Sequence, residues 1–262
     1  MQSTIVFLLV ALGHRYRSEE NYKQRDAELR KQMKTLGLIG GIGPESTIEY
    51  YRTILWLYHE RHGDADSPSV VINSIDVRRL LRLASSDLLA LRAYLSVELD
   101  RLKASGADLA LLAANTPHVV FDELARDSPM PLISIVRATC DRAQALGLKR
   151  LGLLGTRFTM SGGFFERVFA PSGIEIAIPT EDEQTYLHEK YTQELLQNIF
   201  TRQTRDGVSR IITRLQERNA VDGVILGGTE LPLLLNEPLG ISVPLLNTTQ
   251  IHAQAAVDSL WP

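Results

Sequence analysis

The sequence predicts an α/β protein of two pseudo-symmetric, doubly wound parallel-sheet domains with an interdomain cleft, and three observations carry that expectation. One unit occurs twice: KTLGLIG from Lys34 and KRLGLLG from Lys149 share five of seven residues. Each copy is followed by a second apolar run, ADLALLAANTPH and VDGVILGGTELP, whose aspartates Asp108 and Asp222 lie 74 and 73 residues beyond the opening lysines. These runs are continuous rather than alternating, the pattern of strands covered on both faces, and helical-period segments separate them, so the strands are joined by crossovers and lie parallel. A chain of 262 residues has room for two cores. The boundaries read as an N-terminal extension over 1–32, a first domain over 33–130 plus 244–262, and a second over 131–243.

In chain order, IVFLLVALG from Ile5 to Gly13 is about half the length needed to span a bilayer. No basic stretch precedes it and no small-residue cleavage pattern follows, so it reads as part of an appended segment with Met33 as a candidate start; a signal peptide is the alternative. Tyr16 to Gln32 is highly charged and reads as a solvated helix or linker. LGLIG is the first strand, GGIGPEST a glycine turn, and STIEYYRTILWLYHE a helix. SVVINSID reads as a strand, and Leu88, Leu91, Leu95, Leu99 and Leu102 fall on one face of the next helix. ADLALLAA is a strand that stops at Asn115, and PLISIV, after Pro129 and Pro131, reads as another. ATCDRAQALG is helical, and the second copy repeats the plan with LGLLG, GIEIAIP, a helix around Val208, Ile211, Ile212 and Leu215, and GVILGG.

The net charge of -3 and the lack of a Lys/Arg cluster give no footprint for nucleic acid, and no membrane partner is expected. The single cysteine, Cys140, makes no intramolecular disulfide, and the six histidines show no zinc spacing, so a cytoplasmic protein without a metal site is expected. Cys140 lies in a helical segment and reads as a packing residue.

Ligands of open parallel sheets bind beyond the carboxyl ends of the strands, which directs attention to GGIGPEST, NSID, ANTPH and GTE. GGIGPEST is neither a dinucleotide fingerprint nor a P-loop, but its backbone N–H groups and the Ser46 and Thr47 hydroxyls suit a carboxylate at a helix N-terminus; a plain helix cap is a compatible reading. Asn115, Thr116 and Thr229 are amide and hydroxyl groups that bond a charged ligand without titrating. His118 and Glu230 are either general acid/base groups or ordinary hydrogen-bonded side chains. Asn73 and Ser74, with Asp76 just beyond, fit ligand contact or turn capping equally. Arg157, His188 and Lys190 read as surface residues. Six residues past Asp108 and Asp222 stand Ala114 and Gly228, which carry no proton-transfer group.

The order of LGLIGGIGPESTIEYY, NSID, ANTPH, LGTRFTM, PTEDEQ, GGTELPLLL and NTTQIHAQAAV resembles the aspartate/glutamate racemase family from Met33 to the end. The resemblance implies two similar α/β domains with the active site between them, a homodimer, and racemisation of acidic amino acids without pyridoxal phosphate or metal. It also implies two cysteines on opposite faces of the substrate Cα, one before the Asn-Thr of ANTPH and one before the Thr-Glu of GTE. Those positions are Ala114 and Gly228, and Asn247 stands where an aspartate is usual. The expectation is therefore a protein that binds a small acidic amino acid or carboxylic acid in the cleft, with Ser46, Thr47, Asn73, Asn115, Thr116 and Thr229 as binding residues. His118 and Glu230 would transfer protons in place of the thiols. A non-catalytic ligand-binding protein is the alternative. Carbon–carbon or carbon–nitrogen bond chemistry on a related acid is a third reading, against which the missing thiols weigh.

Overall fold

The computed structural model describes residues 33–63, 67–236 and 240–261. The expectations for residues 1–32 lie outside these. Among the described residues no helix is long and apolar enough to cross a membrane.

Two four-stranded parallel sheets repeat one topology. β1 (Leu36–Gly40), β2 (Val70–Ser74), β3 (Leu109–Leu112) and β4 (Leu132–Ile133) form the first in the order β2-β1-β3-β4. β5 (Arg150–Leu154), β6 (Glu175–Ala177), β7 (Gly223–Leu226) and β8 (Leu245–Asn247) form the second in the order β6-β5-β7-β8. The repeated aspartates make the same clamp in each. Asp108 accepts from the Thr35 backbone N–H at 2.8 Å, and Asp222 accepts from the Lys149 and Arg150 N–H groups at 2.7 and 3.1 Å. Each carboxylate thus ties the start of a sheet's central strand to that of its neighbour.

The strands are apolar throughout because both faces are covered, alternate residues serving opposite layers. In the first sheet, Ile39, Ala110 and Leu112 pack under α2 (Val77–Ser86) and α3 (Leu88–Ala104). Leu36, Leu38, Leu109 and Leu111 face α1 (Pro44–His62) and the C-terminal helix Thr248–Asp258. Leu91, Leu95, Leu99 and Leu102 are buried as their spacing predicts, whereas Leu88, at the first turn of α3, is 43% exposed. Beyond β3 the chain continues through α4 (Phe121–Asp127), and α5 (Ile135–Ala145) leads into the second sheet. There α6 (Arg157–Ser161), α7 (Phe164–Phe169), α8 (Glu181–Gln193) and α9 (Arg202–Asn219) divide between the faces, with Val208, Ile211, Ile212 and Leu215 of α9 buried. Cys140 is fully buried in α5, its Sγ near Val168 O and Ser172 Oγ.

PLISIV is only half a strand. Ser134 Oγ accepts from the Arg137 N–H at 3.2 Å and caps α5, so Ile135 and Val136 are helical and only Leu132 and Ile133 pair with β3. Strand pairing also crosses the expected boundaries, since β4 belongs to the first sheet and β8 to the second. After β8 and the short α10 (Leu231–Leu234) that precedes it comes α11 (Thr248–Asp258), capped by Asn247 Oδ1, which accepts from the Gln250 N–H at 3.1 Å.

Helix α11 joins the halves through His252, which is fully buried. Its Nε2 lies 2.9 Å from the Ile133 carbonyl, which only accepts, so Nε2 carries the hydrogen and Nδ1 accepts from Tyr50 OH at 2.9 Å. Replacing Tyr50 by Phe leaves that acceptor buried and unpaired, and chemical denaturation is expected to read a loss of about 1–3 kcal/mol; an unchanged midpoint would show that the Tyr50–His252 bond contributes nothing.

Candidate active site

Beyond the carboxyl ends of β1, β3, β5 and β7 lies a cavity of about 40 Å³. Ala114, Asn115 and Thr116 line it from the first sheet, and Gly228, Thr229 and Glu230 from the second. The two positions that the repeat singles out therefore share one cavity. Ile42, Val77, Leu81 and Leu196 add apolar walls, and Tyr191 of α8 closes it from the second half. The space is about that of one water.

Glu230 is the centre of this site. It is 2% exposed, and a buried carboxylate is tolerable only with hydrogen-bond donors around it. Three hydroxyls supply them: Ser46 Oγ donates to Oε1 at 3.0 Å, Thr229 Oγ1 donates to Oε2 at 2.9 Å, and Tyr191 OH donates to Oε2. The Ser46 and Thr229 hydroxyls are themselves 2.5 Å apart. Ser46 sits in the first turn of α1, where the helix dipole favours negative charge. Gly43, at φ 103°, precedes that turn, and a Cβ there would stand 2.6 Å from Glu230 Oε1. The anion position expected at the start of α1 is thus filled by the chain's own carboxylate.

Gly228 answers to Tyr191 in the same way. A Cβ at 228 would lie 2.5 Å from Tyr191 Cε2 and 2.7 Å from its hydroxyl, so the phenol ring occupies the room a side chain at 228 would need. Burial, reinforced by the neighbouring Glu230 carboxyl, pushes the Tyr191 hydroxyl well above its ordinary 10.0. The group stays protonated at neutral pH and acts as a donor. Sequence reasoning missed Tyr191 because Leu187, Tyr191 and Leu195 recur every fourth residue and all are buried, the signature of a packing stripe.

Asn115 is 4% exposed and oriented from outside the cavity. Its Nδ2 donates to Thr248 Oγ1 at 3.2 Å, and that hydroxyl donates to the Leu226 carbonyl at 2.8 Å, which ties the ends of β3 and β7 to the start of α11. Its Oδ1 is buried without a partner.

Three expected site residues are not brought to the cavity. His118 is buried elsewhere: its Nε2 accepts from the Ile135 N–H at 3.2 Å, so Nδ1 carries the hydrogen and donates to the Ala114 carbonyl at 3.0 Å. The ring stacks on Phe121 at 4.8 Å between centroids, and with both nitrogens engaged an acid/base role for His118 loses its geometric basis. Thr47 accepts from the Gly41 N–H at 2.8 Å and donates to the Gly43 carbonyl at 3.2 Å, so its hydroxyl holds the glycine turn. Asn73 donates to Glu98 Oε2 at 2.8 Å, while neighbouring Asp76 caps α2 through the Arg78 and Arg79 N–H groups. Ser46, Asn115, Thr116, Thr229 and Glu230 do converge. Away from the cavity, Arg157 donates to Thr185 and Lys190 pairs with Glu194.

Two parallel sheets in the same strand order, with polar residues gathered where their strands end, define a two-domain α/β protein with a cavity between its sheet ends. Residues 39–256 match the family described as Asp/Glu/Hydantoin racemase, and the chain belongs to that family. The broad specificity amino-acid racemase RacX of Bacillus subtilis is 23% identical over 199 residues, covering 71% of this chain and 86% of that protein. A candidate Asp/Glu racemase from Yersinia pestis superposes with a TM-score of 0.78 at 36% identity, over 86% of this chain and 98% of that one. An aspartate racemase homologue from Pyrococcus horikoshii superposes with a TM-score of 0.74 at 30% identity over the same shares, 86% and 98%.

Gly228→Cys, which restores the side chain that the resemblance implies, collides with the Tyr191 ring and is expected to cost about 1–3 kcal/mol. Tyr191→Ala in the same chain should recover part of that loss, a coupling that a double-mutant cycle measures, and strict additivity would refute the contact. Desolvation lowers His118 from 6.5 to about 3, with His252 adding to the effect, and lowers His252 from 6.5 to about 4. Both are depressed in the fold, so the unfolded chain binds more protons below pH 6.5. Their stabilisation is complete above that value and declines as pH falls below it, at up to about 1.4 kcal/mol per pH unit for each, until the loss is complete below about 4 for His252 and about 3 for His118. Unfolding measured at pH 7.5, 6 and 5 should show the decline; a flat profile would contradict it.

Proposed function

We propose that the protein is a cofactor-independent amino-acid isomerase that binds a small amino or carboxylic acid in the cleft and moves the Cα proton with groups on one side only. The observation that carries this reading is the asymmetry of the cavity. Among the described residues that line it, the ionisable side chains are Glu230 and Tyr191, both from the second half, while Ala114 stands opposite. Family membership supports the reaction class, and a relative named for broad specificity supports leaving the ligand's side chain open at this point.

A cavity of about 40 Å³ is too small for an amino acid, so binding requires the sheet ends to part. Parting them breaks the Ser46 contacts to Thr229 and Glu230, the polar links across the two halves at this point, and frees Oε1 of the carboxylate, while Oε2 keeps its Thr229 and Tyr191 donors. Glu230 then takes the Cα proton, and the C–H electron pair moves into the substrate carboxyl group to give an enediolate. Tyr191, still protonated, hydrogen-bonds the base through the step. The proton, exchanged with solvent or not, returns to Cα from the same face. A single base therefore favours exchange with retention, and inversion requires the planar intermediate to turn over before it is reprotonated.

A second reading, a ligand-binding protein without turnover, is favoured by the absence of a thiol at both Ala114 and Gly228. The two readings part in deuterated water. Incubation with L- and D-amino acids should place solvent deuterium at Cα faster than the opposite enantiomer appears, and Glu230→Gln should slow exchange by about 100-fold or more. Saturable binding without deuterium uptake would favour the binding protein, and inversion as fast as exchange would refute one-sided proton transfer.

A further inference from the structure

We infer that Tyr191 is the acid of the reaction, its phenol hydroxyl returning a hydrogen to Cα beside the carboxylate that removes one; this rests on the reading above that the cleft isomerises a small amino or carboxylic acid. Three observations support that role. Tyr191 lines the cavity and its hydroxyl donates to Glu230 Oε2, so acid and base are already joined. A Cβ at 228 would stand 2.7 Å from that hydroxyl, which puts the phenol oxygen in the room of the missing side chain, reached from α8 and not from the end of β7. Tyr191 and Glu230 both belong to the second half, and the tyrosine is packed with Leu187, Leu226 and Leu231 of that half, so the pair stays together when the Ser46 contacts part. Thr116, Thr156 and Thr159 also bring hydroxyls to the wall, but an alkyl hydroxyl gives up a proton far less readily than a phenol.

The step balances within the pair. Glu230 takes the Cα proton, and the C–H electron pair moves into the substrate carboxyl group. The enediolate then takes the phenol hydrogen as that electron pair forms a new C–H bond. Last, the Glu230 acid passes its proton to the phenolate, which restores both groups. Burial and the Glu230 carboxylate oppose ionisation of the phenol, while the Glu230 backbone N–H and the Thr229 hydroxyl favour it. The charge on Glu230 disappears when it accepts the Cα proton, so the phenol becomes a stronger acid at the moment the enediolate needs one.

Removal and return of the hydrogen can be read separately on the full chain. In deuterated water the phenol carries deuterium before turnover, so each return labels Cα. Tyr191→Phe leaves only the hydrogen that Glu230 has just removed, and uptake of solvent deuterium should fall by about 100-fold. Removal alone is followed with β-chloroalanine, which expels chloride as the electron pair left at Cα forms a double bond to Cβ. Chloride release should stay within about fivefold of wild type in Tyr191→Phe and fall by about 100-fold in Glu230→Gln. Uptake that is unchanged in Tyr191→Phe, or uptake and release that fall together, overturns the inference and leaves the isomerase intact. Replacing Tyr191 by difluorotyrosine, which keeps the ring and makes the phenol more acidic, decides the matter if the Phe variant does not fold or no chloride is released. The alkaline fall in uptake should then move to lower pH, and a fall that does not move overturns the inference. Wild type that shows neither uptake nor release rejects the inference and the isomerase together.

Discussion

The Glu230 carboxylate is the interaction on which the rest of this site depends. It is buried at the meeting point of two sheets, with Ser46 from one half and Thr229 and Tyr191 from the other as its donors. A charge withdrawn from water in this way is costly unless its lone pairs are filled, and the neighbouring choices follow from that cost. Gly43 has no side chain because Oε1 needs the space, and Gly228 has none because the Tyr191 ring must reach the other oxygen. The cavity is small for the same reason: the protein has filled its own anion position.

The duplication supplies the frame, and its two copies carry different chemistry. Asp108 and Asp222 clamp equivalent strand starts, and the strand order is the same in both sheets. At the other end of those strands the equivalent triplets are Ala114-Asn115-Thr116 and Gly228-Thr229-Glu230. One copy presents an amide with an unpaired oxygen, the other a carboxylate crowded by hydroxyls. A symmetric scaffold thus holds an asymmetric site, and acid/base capacity is concentrated on one side. The resemblance implies a thiol on each face of the substrate. Here a phenol occupies the space at one of them, and Ala114 packs with the core beneath the other.

Fold and family were legible in the sequence, and the site was legible in part. Continuous apolar runs separated by helical periods gave away parallel strands, and the motif order from LGLIGGIGPEST to NTTQIH pointed to the family that residues 39–256 match. Asn115, Thr116, Thr229 and Glu230 were placed by their position at strand ends, and Ser46 by the glycine turn that follows one, which the parallel-sheet rule turns into proximity. His118 occupies the same kind of position yet turns away to bond the Ile135 N–H and the Ala114 carbonyl, a choice decided by the 3-10 turn that follows β3. The strand at Leu245–Asn247 was not anticipated because three residues carry too little periodicity to read.

By itself the sequence determined that the chain repeats, that its strands are buried and parallel, and that neither family cysteine position holds a thiol, because period, composition and residue identity are local properties of the chain. Only the tertiary structure decided that Glu230 sits on the first turn of α1 and that Tyr191 stands in the room left by Gly228. Those contacts join residues 184 and 37 positions apart, the first across the two sheets and the second within the second half, between α8 and the end of β7. No local pattern encodes which buried tyrosine turns its hydroxyl toward a carboxylate; that is set by where the packed helices leave space.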